Sequence, residues 1–289
     1  MVRWSGNVPN IAQILSLKTA QDCFEMVEKS IVTLKAHMSH QQTYAENEEY
    51  AKFLSTWESG FYAKYADAIK PVKAGGRVLD VGCGVGQVVG RLTADGYEAY
   101  GVDVSSPNIE RASKVSSRCQ LYDGKHLPFK DGFFGGAGAF NVLEHVDEPE
   151  KFIEELVRVV EPGGRVVLSS PNFFRVIGFH DYHPKMRGIG NKLANWKRLR
   201  EKARQMRETP DQVRFDRMEP IVKEPFTPDD DAIIATNALE IRFFLERAGC
   251  VVDAVYCTDR RVAKPVDFLL NLTPARFLMF NAFVAAHKK

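Results

Sequence analysis

The first part of the chain repeats its apolar positions at helical spacing. Ala20, Phe24, Val27, Ile31 and Leu34 fall three or four residues apart, with Thr19 placed to cap the start. Tyr50, Phe53, Leu54, Trp57, Phe61, Tyr65 and Ile69 continue the pattern as a second helical stretch that ends at Pro71. Residues 1–70 are therefore expected to form a helical cap whose aromatic side chains belong to the core. At Gly76 the pattern changes. Residues 77–81 are a short apolar run stopped by glycines, as in a buried parallel strand. Helices are then predicted over 87–94, from Ser105-Ser106-Pro107 onward, and over 149–160, with strands at 98–103, 120–122, 136–140 and 165–169. The turn at 161–164 is expected to lead into the last of these strands. Alternation of this kind predicts an α/β fold, an open and mostly parallel sheet with helices on both faces.

From residue 171 to about 235 the rhythm lapses. Ile189, Leu193, Trp196, Leu199, Ala203 and Met206 line one face of a helix predicted over 185–207. Residues 173–235 are expected to be a helical insertion after the fifth strand, a substrate lid that lays this apolar face over the crevice. A helix over 238–248 closed by Gly249, a strand at 251–256 and a last strand at 277–286 complete a domain spanning 71–289.

Composition narrows the picture. The 289 residues are 45% hydrophobic and 26% charged, the balance of a globular protein able to bury a full core. Lys and Arg total 39 against 37 Asp and Glu, a net charge of +2 that excludes a general polyanion binder. Cys23, Cys83, Cys119, Cys250 and Cys257 are odd in number and lack C-x-x-C spacing, so neither a zinc ribbon nor a disulfide framework is expected. With no signal-peptide pattern and no apolar run near the ~20 residues of a membrane span, a cytoplasmic location is expected.

The chemistry concentrates in Val78-Leu79-Asp80-Val81-Gly82-Cys83-Gly84-Val85-Gly86-Gln87. Glycines after a first strand let the backbone approach a ligand, and the following helix offers its N-terminal amides. The spacing is G-x-G-x-G, with Gln87 where a dinucleotide fingerprint has its third glycine. Asp80 ahead of the glycines repels a diphosphate and welcomes a cationic ligand. Asp103 ends the second strand, where a carboxylate accepts from ribose hydroxyls. Asp123-Gly124 ends the third strand, where an acidic side chain can accept from an adenine amino group, and Asn141-Val142-Leu143-Glu144-His145 ends the fourth.

With Leu127-Pro128-Phe129 and Glu161-Pro162-Gly163-Gly164 in order, residues 75–172 resemble the class I S-adenosylmethionine-dependent methyltransferases, typified by ubiquinone-biosynthesis and small-metabolite enzymes. The resemblance implies a Rossmann-like, seven-stranded, mostly parallel sheet and S-adenosyl-L-methionine as cofactor, with S-adenosyl-L-homocysteine as product. It implies that Gly82, Cys83 and Gly84 bring backbone against the methionine part, that Gln87 belongs to the same stretch, and that Asp80 favours the ammonium. Asp103 would take the ribose hydroxyls, Val104 would lie beside the adenine, Asp123 and Gly124 would meet its edge, and Asn141 would supply backbone near the sulfonium.

Two departures stand out. Phe133-Phe134-Gly135-Gly136 replaces the family's frequent Phe-Asp before the fourth strand. Asn141 stands where metal-using relatives carry a glutamate, so no metal is expected. His145 is the candidate base, because methyl transfer needs an aligned acceptor and a proton acceptor. Asn172, His180 and His183 are candidate substrate contacts. The expected reaction is O-methylation of a small polar or anionic metabolite. N- or C-methylation, metal-assisted O-methylation, an NAD-dependent oxidoreductase and a non-catalytic cofactor-binding module stand as alternatives. The basic surplus of 185–207 suits an anionic substrate or a membrane surface, and the lid is the reading preferred. No nucleic acid partner is expected, and oligomeric state is left open.

Overall fold

The computed structural model describes residues 44–56, 62–178, 183–221, 230–257 and 263–289. Helix α1 (Glu48–Ser55) starts at Asn47, whose side chain accepts from the Tyr50 amide at 2.9 Å. It stops at Thr56, whose N–H and hydroxyl both return to the Phe53 carbonyl. A second helix, α2 (Ala63–Ile69), follows, so the single stretch expected up to Pro71 is two helices. Thr56 spends its donors on the preceding turn rather than on extending the helix. The helix expected around Ala20 lies outside the described residues, as does most of the proposed 1–70 cap.

The sheet is built from β1 (Arg77–Val81), β2 (Glu98–Asp103), β3 (Cys119–Leu121), β4 (Phe134–Phe140), β5 (Val160–Pro171), β6 (Cys250–Tyr256) and β7 (Asn281–Lys288). Helices α3 (Gln87–Ala94), α4 (Ser106–Val115) and α5 (Pro149–Arg158) connect its first strands. Helix α6 (Gly188–Glu208) follows β5, α7 (Ala238–Arg247) precedes β6, and α8 (Lys264–Asn271) precedes β7. The order is β3-β2-β1-β4-β5-β7-β6, parallel except for β7, which is antiparallel to both neighbours. An all-parallel dinucleotide sheet runs 3-2-1-4-5-6. The inserted antiparallel β7 separates this fold from it.

Several boundaries differ from expectation. β4 begins at Phe134, two residues early, because Phe134 is fully buried against Tyr100, Phe129 and Phe133. These rings occupy the place where a Phe-Asp pair was missed. The turn expected at 161–164 lies inside β5 as an irregularity opposite Phe134–Gly136, with Val160 already paired to Phe134. The last strand starts at Asn281, since Phe277 belongs to a 3-10 turn, Pro274–Leu278. Helix α8 had no counterpart in the sequence reading.

Two apolar clusters cover the sheet faces, one around Leu79, Phe134, Ile153 and Leu168, the other around Tyr65, Ile69, Val78 and Val89. Helix α2 sits directly on β4: a Cβ on Gly136 would stand 2.0 Å from the Ile69 carbonyl oxygen. A third cluster, Phe173, Phe174, Met186, Leu199 and Met218, lies beyond the carboxyl end of β5. Helix α6 joins it through Leu199, on only part of the expected face. It buries Asn195, Leu199 and Lys202, while Ile189, Leu193 and Trp196 are exposed. Lys202 is drawn inward by Asp216 at 2.7 Å and Glu240 at 2.8 Å, which sets the rotation of the helix. Among the described residues, no helix is long and apolar enough to cross a membrane.

Candidate active site

The carboxyl ends of β1, β2 and β4 meet at one crevice. Leaving β1, the amides of Gly82 and Cys83 both donate to the Val102 carbonyl, at 2.8 and 3.0 Å, so the turn is pinned to β2. Gly82 has φ +73°, and a Cβ there would stand 2.3 Å from Cγ2 of Val142. Glycine is required on both counts. Cys83 is buried, and a Cβ on Gly101 would stand 2.8 Å from its sulfur, so Cys83 presents backbone to the crevice and thiol to the core. Gln87 opens α3, and its side-chain amide donates to the Leu54 carbonyl at 3.4 Å, which brings α1 over the glycines.

Two buried carboxylates flank this turn. Asp103 accepts from the Gly84 amide at 2.9 Å, the Ser105 amide at 2.9 Å and the Asn108 side chain at 3.2 Å. Burial raises its pKa, and these three bonds oppose the rise. Asp80 accepts from the Tyr65 hydroxyl at 2.8 Å. Burial pushes its carboxyl up to about 7, against the pull of the Tyr65 bond. Val104 follows Asp103 in a half-buried position. Asp123 is exposed and accepts from the amides of Lys125 and His126 at 2.8 and 2.7 Å, bonds that lower its pKa and shape the turn around Gly124, φ +78°.

At the end of β4, Asn141 is a non-glycine residue with φ +54°. Its amide donates to the Ser169 carbonyl at 2.8 Å, which holds this costly conformation at the crevice. The next turn, Leu143–His145, withdraws both of its polar side chains from solvent, Glu144 wholly and His145 for the most part. Glu144 is fully buried and accepts from Ser170 at 2.9 Å, and Ser170 shares a 2.6 Å bond with Thr236. The Glu144 carbonyl receives the amides of Ile233 and Ile234 at 2.9 and 3.0 Å, which ties the insertion to the end of β4.

His145 lies 3.2 Å through Nδ1 from the Tyr44 hydroxyl, and its Nε2 is 3.9 Å from Oε1 of Glu144. The Tyr44 hydroxyl donates in turn to Asp231, and the Tyr44 and His145 rings meet edge-on at 5.5 Å. Burial, then the Asp231 charge, pushes the Tyr44 phenol well up, so Tyr44 keeps its proton. Tyr50 packs on Tyr44 with ring centroids 5.2 Å apart, and Tyr62 and Tyr65 both pack on Phe140. Tyr65 is a core member, as expected of this aromatic face, with Tyr62 and Phe140 packed against the same cluster.

Of the proposed substrate contacts, Asn172 and His183 are engaged within the fold. Asn172 is fully buried, donating to the carbonyls of Phe277 and Met279 at 2.9 and 2.6 Å and accepting from the Phe174 amide. It fastens the chain after β5 to the approach to β7. His183 is buried too. Its Nδ1 accepts from the Lys185 amide at 3.1 Å as a turn cap, with its ring edge-on to Phe173. His180 lies outside the described residues. Among the described residues, no group of three or more His, Cys, Asp or Glu side chains forms a metal-ligand set.

Tyr44 and Asp231 escaped the sequence reading. Tyr44 belongs to no amphipathic repeat, and Asp231 lies in an acidic run, Asp229-Asp230-Asp231, that carries no motif. Contacts across 101 and 187 residues leave no local signature.

Residues 79–168 match the family described as methyltransferase domain. Over 142 residues the chain is 34% identical to an uncharacterized methyltransferase of Mycobacterium sp. (strain KMS), covering 47% of this chain and 56% of the relative. Over 108 residues it is 32% identical to the 27-O-demethylrifamycin SV methyltransferase of Amycolatopsis mediterranei (strain S699), covering 34% and 40%. The chain spans about half the length of these curated relatives. An S-adenosylmethionine-dependent methyltransferase structure from Mesorhizobium loti shares the fold with a TM-score of 0.53 at 16% identity, covering 78% of this chain and 97% of that one.

Proposed function

Residues 79–168 form a methyltransferase domain of the class I, S-adenosylmethionine-dependent family, and we propose on that premise that the chain methylates an oxygen of a small-molecule acceptor. When bound, the cofactor supplies a methyl group on a sulfonium, an electrophile with its leaving group built in. The residues present fit that group. The left-handed glycines leave the backbone open to a ligand, and the buried Asp80 carboxyl, at about 7, gains from a neighbouring ammonium.

In this reading Gly82, Cys83 and Gly84 carry backbone against the methionine part, and Gln87 opens the helix beside them. Asp103 accepts from the ribose hydroxyls, Val104, Asp123 and Gly124 border the adenine, and Asn141 supplies backbone near the sulfonium.

The observation that carries the oxygen reading is the line from His145 through Tyr44 to Asp231. A phenol has one proton, and that of Tyr44 is engaged in the hydrogen bond it donates to Asp231. Its oxygen therefore accepts from Nδ1–H of His145, which leaves the lone pair on Nε2. That nitrogen takes the hydroxyl proton of the acceptor, and Glu144 at 3.9 Å compensates the charge that His145 gains. The name of the Amycolatopsis relative supports oxygen as the acceptor atom. Asp231 brings the 173–235 insertion to the reacting end of the crevice, where it covers the acceptor. The basic surplus of that insertion favours a polar or anionic acceptor.

Incubating the protein with methyl-labelled S-adenosylmethionine and a panel of hydroxylated metabolites tests this reading by mass spectrometry. Label on oxygen is expected, lost in His145→Ala while affinity for S-adenosylhomocysteine is kept. Label confined to nitrogen or carbon, at a rate indifferent to His145→Ala, would refute it.

A further inference from the structure

We propose that the outward faces of α6 and α8 form a docking surface for an anionic lipid bilayer. The inference rests on the surface alone and stands apart from the reaction proposed above.

On α6, Ile189, Leu193 and Trp196 are 79%, 58% and 42% exposed. At 100° per residue they fall within an arc of about 60° on the side away from Asn195, Leu199 and Lys202, the buried anchors of the helix. Arg200 and Arg207 continue the same stripe toward the C-terminus, and Lys192 and Lys197 border it. The two acids of α6, Glu201 and Glu208, both face Arg204, and the helix sets seven Lys and Arg against these two.

On α8, Phe268, Leu269 and Leu272 are 63%, 61% and 64% exposed, with Val266 at 49%. The helix starts at Lys264, and Arg276 lies in the turn that follows it. Leu199 of α6 belongs to the apolar cluster beyond the end of β5, and Leu278 and Phe280, in the chain that follows α8, pack against it. The turn that leaves α8 thus meets the cluster on which α6 rests.

The charge selects the occupant. A second copy would set arginine-rich helices against one another, whereas an anionic headgroup layer complements the exposed Arg200, Arg207 and Lys197. Large side chains on two outward-facing helices need no matching cavity in a bilayer, where Trp sits at the headgroup level and Lys reaches outward. Isolated exposed apolar residues need no explanation. Two clustered sets, one of them merging into a basic stripe, do.

The test is co-sedimentation of the full chain with vesicles of phosphatidylcholine alone or of equal parts phosphatidylcholine and phosphatidylglycerol. Binding is expected to the anionic vesicles only, and to fall steeply as salt is raised. The triple variant I189S/L193S/W196S, and separately R200Q/R207Q, should each bind about tenfold more weakly or worse, with unchanged thermal melting. The wild-type salt and lipid dependence needs no variant to fold. Equal binding to both vesicle types, or none, would overturn the proposal. So would a dimer of the wild-type chain that the triple variant converts to monomer, which would assign the face to a second copy.

Discussion

The hydroxyl of Tyr44 lies 3.2 Å from Nδ1 of His145, joining side chains 101 residues apart at the end of β4. If this bond fixes the tautomer, Tyr44→Phe should lower kcat by roughly 10–100-fold, within the range of general base effects. Affinity for S-adenosylhomocysteine should stay unchanged, since Tyr44 is assigned to the acceptor end of the crevice. Steady-state kinetics with parallel calorimetry reads both. An unaltered kcat would leave Tyr44 as packing only.

Asp80 makes cofactor binding depend on pH. Its carboxyl is at about 7 in the free protein, raised by burial above its unfolded value. Only the ionised form attracts an ammonium, so affinity should climb as pH rises to about 7 and level off above it. Below that, each pH unit costs about tenfold. The linked stability effect has the opposite sign. A raised carboxyl stabilises the fold at low pH, and that contribution is lost as pH rises toward about 7. Asp80→Asn should flatten the binding profile, which calorimetry between pH 5 and pH 8 would read.

Gly82 and Val142 form a steric pair. Gly82→Ala places a Cβ 2.3 Å from Val142 and adds about 1–2 kcal/mol of left-handed strain, so cofactor binding should be lost. Adding Val142→Ala removes the methyl in conflict and should restore part of the binding. A double variant no better than Gly82→Ala would place the defect elsewhere.

Lys202 anchors α6 through a buried ion pair. Lys202→Met leaves Glu240, fully buried, without its cation and should cost about 3–5 kcal/mol in chemical denaturation. Burial pushes the Glu240 carboxyl up to about 7, so the cost should shrink at acidic pH, where the protonated acid needs no partner. Lys202→Met with Glu240→Gln should recover most of the loss. A penalty that stays the same at every pH would argue against an uncompensated charge.

The glycine turn and the alternation of strands and helices were legible because each is a local matter. A left-handed turn needs glycine, and a buried strand needs an apolar run. The His145–Tyr44–Asp231 line was hidden because its members come from three distant segments. The orientation of α6 was misread for a related reason. Periodicity found a stripe through Ile189, Leu193, Trp196, Leu199, Ala203 and Met206, yet its first three members are exposed while Leu199 is buried and Met206 packs on the core. The pull of Glu240 and Asp216 on Lys202, a tertiary pairing, turned the helix. Asn172 and His183 looked like free polar side chains, but main-chain donors and acceptors nearby had already claimed them.

The central claim is that this crevice holds S-adenosylmethionine. Parallel calorimetric titrations with S-adenosylhomocysteine and with NAD at pH 8 test it most directly. The account predicts one-to-one binding of S-adenosylhomocysteine, weakened by about 1.5–3 kcal/mol in Asp103→Ala, and no heat with NAD. Binding of NAD with no response to S-adenosylhomocysteine would contradict it.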